Sequence, residues 1–126
     1  MRLPKSNDRD LGVRTRNLAV RIVRLYISLP KTTEAQVLGK QLLLSGTSVG
    51  AHIAESNRGK SRADFANKID GALQELDESV YWMKILMDTR IVDESKLHDL
   101  LDECGQLSAI LATMVHRVRR NDSINQ

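Results

Sequence analysis

From Phe65 onward the apolar residues of this chain keep one rhythm. Phe65, Ile69, Ala72, Leu76, Val80, Met83 and Met87 follow one another by three or four positions. After a short polar break, Leu97, Leu101, Cys104, Leu107 (or Ser108), Leu111, Met114 and Val118 resume the same steps. An average step of about 3.5 residues places these side chains on one seam per helix, the pattern of rods that pack with a slight left-handed twist. No proline falls between Lys31 and the C-terminus to interrupt them. No run of alternating apolar and polar residues is bounded by turn signals, so the chain reads as all-α.

Two earlier segments fit the same scheme. Leu18, Ile22, Leu25 and Leu29 mark helix 1 over Val13–Leu29, and Pro30 stops it. Thr33 and Gln36 have capping-box spacing and open helix 2, which continues to Asn57 on Leu38, Leu42, Val49 and Ile53. Arg58-Gly59-Lys60 is a loop, and Ser61, with Asp64 three residues on, caps helix 3 over Arg62–Asp88. Thr89–Val92 turns the chain, and Asp93 caps helix 4, which ends near Arg120. Residues 1–12 are expected to form a flexible polar arm and residues 121–126 a flexible tail. Short connections make neighbouring helices antiparallel. The expectation for residues 13–120 is an up-down-up-down four-helix bundle.

Helix 2 carries Gly46 and Gly50 in its interior, each costing about 1 kcal/mol relative to alanine. With Ala54 they fall four apart and form a narrow, smooth stripe on which another helix can lie. Aromatic residues are only 3% of a chain that is 41% hydrophobic, so the core is aliphatic. The single cysteine, Cys104, sits at a seam position and reads as a small buried hydrophobe rather than a reactive thiol. Residues Met1–Val13 lack the apolar core of a secretory signal, and no apolar run approaches the ~20 residues that span a bilayer. A cytoplasmic protein without a membrane partner is expected.

The topology makes the charge distribution informative. It gathers the N-terminal arm, the helix 2–3 loop and the C-terminus at one end. Arg2, Lys5, Arg9, Arg14 and Arg16 come from the first of these, Arg58, Lys60 and Arg62 from the second, and Arg117, Arg119 and Arg120 from the third. Asp8, Asp10, Glu55, Asp64 and Asp122 oppose them. The far end collects Asp88, Asp93, Glu94, Asp99, Asp102 and Glu103. A net charge of +3 thus conceals a dipolar molecule. A cationic end of this kind suits the phosphate backbone of nucleic acid, with Arg14, Arg16, Arg58, Lys60, Arg62, Arg117, Arg119 and Arg120 as candidate contacts. Few aromatic residues interleave with them, so base stacking is not indicated. Solvation of helix ends accounts for the same charges without a ligand.

Other motifs carry less. Ala54 to Ser61 matches a relaxed phosphate-binding loop pattern, but the chemistry needs a strand before the loop, and helix precedes it here. What remains there is one phosphate held by Lys60 and the amides after Ser61. His52 and Glu55 stand in the wrong order for a di-iron bundle motif, and His98 and His116 lack it altogether. No nucleophile, base and orienting acid assemble. No catalytic residue, cofactor or metal is expected. On helix 3, Tyr81, Trp82 and Ile85 lie away from the seam and are candidates for an oligomer interface, with lateral packing inside the bundle as the other reading.

Three blocks bring a resemblance: Ser45-Gly46-Thr47-Ser48-Val49-Gly50-Ala51-His52-Ile53-Ala54-Glu55, Ser61-Arg62-Ala63-Asp64-Phe65 and Glu75-Leu76-Asp77-Glu78-Ser79-Val80-Tyr81-Trp82. They resemble the signature of the four-helix bundle proteins encoded in intervening sequences of 23S ribosomal RNA genes, also labelled S23 ribosomal proteins. His52 departs from that pattern, where asparagine is common. The resemblance implies a homopentamer. It also implies kinship with the accessory variability determinant protein of diversity-generating retroelements, a basic pentameric barrel that binds nucleic acid and a reverse transcriptase. It implies no enzymatic activity. The expected function is therefore a non-enzymatic, oligomeric bundle that binds nucleic acid, RNA before DNA, through its basic end. The competing expectation is a homo-oligomeric protein–protein scaffold without nucleic-acid binding.

Overall fold

The computed structural model describes the backbone of residues 5–125 and the side chains of residues 11–121. Four helices follow in order: α1 (Lys5–Ser28), α2 (Thr33–Ser56), α3 (Arg62–Asp88) and α4 (Glu94–Asn125). The described residues contain no strand. Helix α1 starts eight residues before the expected Val13, and α4 runs on past Arg120. The early start has a cause in the core, because Leu11 and Thr15 are buried and extend the seam of Leu18, Ile22, Leu25 and Leu29 downward. Of the expected arm and tail, Met1–Pro4 and Gln126 lie outside the described residues.

Contacts between helices fix an antiparallel course. Gly39, Gly46 and Gly50 of α2 meet, in reverse order, Leu29 just past α1 and Ile22 and Thr15 within it. On the other side of α2, Ser45 meets Ser79 and His52 meets Gly71 of α3, again reversed. Helix α4 lies along α3 and returns to α1, where its contact is the thinnest in the bundle. The architecture is the expected up-down-up-down four-helix bundle.

The tightest glycine contacts are those of α2 with side chains from the α1 side. A Cβ placed on Gly46 would stand 2.3 Å from Ile22 Cδ1 and 3.1 Å from its Cγ2. At Gly39 it would stand 2.4 Å from Leu29 Cδ1. Gly46 and Gly50 thus act as the sequence suggested, but the third member of the row is Gly39. Ala54 is exposed.

Two seams differ from expectation by one position. In α3 the buried row is Phe65, Ile69, Ala72, Leu76, Ser79, Met83 and Leu86, while Val80 and Met87 are only half-buried beside it. A strict seven-residue repeat selects Ser79 over Val80. Its hydroxyl donates to Glu75 O at 2.8 Å and faces Ser45 Oγ at 2.9 Å, so burying it leaves no polar atom unsatisfied. In α4 the buried row is Leu97, Leu100, Cys104, Leu107, Leu111, Val115 and Val118, with Leu101 and Met114 at its edge. At the α3–α4 turn, Arg90 adopts φ 61°, a conformation usually left to glycine.

Glycine-to-alanine changes should separate packing from propensity. Gly105 lies in α4 with nothing near its Cβ direction, so Gly105→Ala should raise stability by about 0.5–1 kcal/mol. Gly46→Ala gains the same propensity, but overpacking against Ile22 costs roughly 1–3 kcal/mol and makes it net destabilising. Urea titration followed by circular dichroism reads both signs.

Candidate nucleic-acid interface

The α2–α3 connection is a tight, fully specified turn. Ser56 Oγ donates to Ile53 O at 2.6 Å, and the amides of Arg58 and Gly59 donate to Glu55 O and Ser56 O. Ser61 Oγ then accepts from Asp64 N at 3.0 Å, while Asp64 Oδ2 accepts from Lys60 N at 3.3 Å. This reciprocal cap closes the start of α3. It also takes Asp64 N, one of the amides proposed for a phosphate, and sets the Asp64 carboxylate beside the others, so that terminus is poorly suited to an anion.

Around this turn the antiparallel course brings the cationic segments to one end. Arg16 shares a groove of about 400 Å³ with Gly50, Ala54 and Asn57, close to the end of α2. Arg119 bonds Asp70, two turns into α3. Lys60 lies in the turn itself. The side chains of Arg2, Lys5 and Arg9 lie outside the described residues.

The candidate contacts divide into two groups. Arg14 is spent within the fold: its Nε donates to Glu103 Oε2 at 3.0 Å, and its Nη2 donates to Glu103 Oε1 at 2.7 Å and to Gln106 Oε1 at 3.1 Å. Both members of that pair are about one-fifth exposed, and the fork fastens α1 to α4. Arg119 is engaged by Asp70, and Arg62 also has a partner. Arg16, Arg58, Lys60, Arg117 and Arg120 are exposed, and no carboxylate pairs with them among the described residues. The set offered to solvent is therefore smaller than the eight residues read from the sequence. Spacing along a helix could not reveal which arginines a neighbouring helix would claim.

The opposite end holds the acids. Asp93 Oδ2 accepts from Ser95 N at 3.0 Å and from its hydroxyl, bonds that hold the Asp93 carboxyl below its ordinary range. Glu94 opens α4 beside it, and Asp88 ends α3. Glu103 belongs to the bundle's flank through Arg14 rather than to this end.

Groups with chemical potential are quiet. Cys104 is buried, and burial, then the nearby Glu103 charge, pushes its thiol up to about 12. His52 lies against Gly71, and its Nδ1 is buried without a hydrogen-bond partner. Among the described residues no three His, Cys, Asp or Glu side chains converge as metal ligands. No helix among them is long and apolar enough to cross a membrane.

The proposed interface residues on α3 are not alike. Tyr81 is 58% exposed and meets Trp82 edge to face, with ring centroids 5.0 Å apart. Trp82 is half-buried and packs on the core, as lateral contact within the bundle requires, and Ile85 is half-buried. A second apolar surface went unread in the sequence. Val13, Val20, Val23 and Ile27 of α1 are all exposed, Ile27 at 66%, on the side away from the core. The seven-residue spacing of Val13, Val20 and Ile27 was its signal.

Comparison with known proteins places this bundle. The family model of the 23S rRNA-intervening sequence protein matches residues 9–113. The chain belongs to that family. The crystal structure of a protein of unknown function from the S23 ribosomal protein family of Bacteroides thetaiotaomicron superposes with a TM-score of 0.81 at 34% identity, covering 86% of this chain and 97% of that one. No curated protein matches the sequence. The four-helix course is shared with that relative, whose own function is unknown.

Two measurements follow from the described side chains. Arg14→Ala should lower stability by roughly 1–3 kcal/mol, because Glu103 loses a bidentate partner in a half-buried setting. Cys104 should resist a disulfide exchange reagent at pH 8 in the native protein and react at once in denaturant.

Proposed function

We propose that this protein is a non-enzymatic, self-associating four-helix bundle that binds nucleic acid through its cationic end, in the cytoplasm, where an unpaired cysteine is at home. One observation carries this reading: Arg16, Arg58, Lys60, Arg117 and Arg120 are exposed and unpaired among the described residues, around one end of the bundle. Arginine and lysine side chains left without carboxylates release counterions from a phosphate backbone when they bind it, and that release drives sequence-independent association. The family's tie to 23S rRNA genes makes RNA the first ligand to test. Self-association as a homopentamer, with these ends side by side, would add their fields.

A second reading, a scaffold for protein contacts alone, draws on the exposed valines and isoleucine of α1. A reverse transcriptase is one partner of that kind to test by co-purification under nuclease treatment. Salt titration separates the two readings. Labelled single-stranded RNA should bind at low salt, with log K falling against log salt by about 0.7 per phosphate contact. Replacing Arg58, Lys60, Arg117 and Arg120 by glutamate should weaken binding by at least about tenfold at low salt and flatten that slope. Arg14→Gln should leave the slope unchanged. Absence of binding at the lowest salt would leave the scaffold reading standing.

A further inference from the structure

Among the described residues, two exposed ion pairs stand at the cationic end, one on each flank of α3. Lys68 Nζ lies 3.0 Å from Glu55 Oε2 and ties α3 to the last turn of α2. The hydrogen bond from Lys68, and then its charge, holds the Glu55 carboxyl below its ordinary value. Two residues on, the helix has turned through about 200°, and there Asp70 pairs with Arg119 of α4. Lys68 lies about 9 Å along the axis from Arg62, the first residue of α3, within about one screening length at 0.1 M salt. Arg119 falls between Arg117 and Arg120 in the chain. Both pairs therefore sit inside the field of the unpaired cations.

Exposure decides how firmly each pair is held. The side chains of Lys68 and Glu55 are 46% and 52% exposed, and those of Arg119 and Asp70 are 53% and 35% exposed. A pair so well hydrated gains little, because each member does nearly as well in water and salt screens the attraction. The Arg14–Glu103 fork differs: it is bidentate, Gln106 adds a third bond, and both members are about one-fifth exposed. Opening it would strand a half-buried carboxylate. A backbone phosphate offers a lysine or arginine the same charge-assisted bond and releases a condensed counterion as well. That addition outweighs an exposed pair and not the Arg14 fork.

We infer that Lys68 and Arg119 are exchangeable phosphate contacts: when nucleic acid binds, each leaves its carboxylate, Glu55 or Asp70, for a backbone phosphate, while Arg14 keeps Glu103. This inference rests on the nucleic-acid reading above and adds to it Lys68 and two competing acids. The displaced carboxylates are already at the surface, so water takes over their hydrogen bonds at little cost. Glu55 and Asp70 act as built-in competitors of the phosphate. The bound surface is more cationic than the free one, and the two acids set how much weaker the association is than the bare cations would make it.

Salt titration of a labelled oligouridylate reads the exchange. Lys68→Gln and Arg119→Gln should each weaken binding at low salt and lower the slope of log K against log salt by about 0.7, the step for one lost phosphate contact on a single strand. Asp70→Asn and Glu55→Gln should each strengthen binding by about two- to fivefold, the release of a surface pair. Most of the Asp70→Asn gain should disappear when Arg119→Gln is also present, and most of the Glu55→Gln gain when Lys68→Gln is. Equal gains with and without the cation would mean that the acids act only through the general field, which overturns the exchange. A slope that either cation variant leaves unchanged overturns the assignment of that residue. Both of those results leave the nucleic-acid reading standing. A wild type that binds no RNA at the lowest salt removes that reading and the exchange with it. Misfolding cannot strengthen binding, so the carboxylate variants decide the matter even if a cation variant melts early.

Discussion

The approach of α1 to α2 across glycine governs this fold. At Gly46 the Ile22 side chain occupies the space that any Cβ would need, and at Gly39 Leu29 does the same. Helix interiors resist glycine by about 1 kcal/mol per residue, so the contact must return more than it costs. It does so by letting Ile22 and Leu29, both buried, lie on bare backbone rather than on side chains. Ser45 and Ser79 permit a second close approach, between α2 and α3, with both hydroxyls satisfied. Helix α2 is thus held on two sides by small residues, with α1 and α3 placed directly on it and α4 packed on α3 and α1.

That placement decides which charges are available. The four-helix course gathers basic residues from three separate stretches of the sequence at one end, but tertiary pairing removes some of them. Arg14 becomes part of the joint between α1 and α4, where apolar packing is sparse, and Arg119 leans onto Asp70. Arg62 has a partner as well. Arg16, Arg58, Lys60, Arg117 and Arg120 have no paired carboxylate among the described residues, and their field is weakened mainly by solvent and salt. This distinction gives the nucleic-acid proposal its shape: a small cluster around the α2–α3 turn and the end of α4, rather than every arginine in the neighbourhood.

The fold was legible because it depends on periodicity, and periodicity survives without coordinates. Leu18, Ile22, Leu25 and Leu29 are all buried where the pattern puts them, and Pro30, Thr32 and Ser61 mark helix boundaries close to the expected ones. The misses have local causes. Ser79 and Leu86 displace Val80 and Met87 because a strict heptad outranks hydrophobicity once a serine hydroxyl has partners. Leu11 draws α1 into a stretch whose polarity argued for coil. The candidate site was less legible. Ion pairs such as Arg14–Glu103 join residues far apart in the sequence, and a helical wheel of one element cannot show them. The outer row of α1 was present in the letters, but an apolar position has no stated side until its neighbours are known.

Arg90 shows two unfavourable terms balanced against each other. Its backbone sits at φ 61°, which costs a residue with a side chain about 1–2 kcal/mol that glycine would avoid. Yet the turn it occupies is walled by Asp88, Asp93 and Glu94. A glycine there would relax the turn and leave the groove lined by three carboxylates with one fewer cation. One residue therefore sets the backbone geometry of this turn and adds a positive charge to the acidic pole, alongside Lys96.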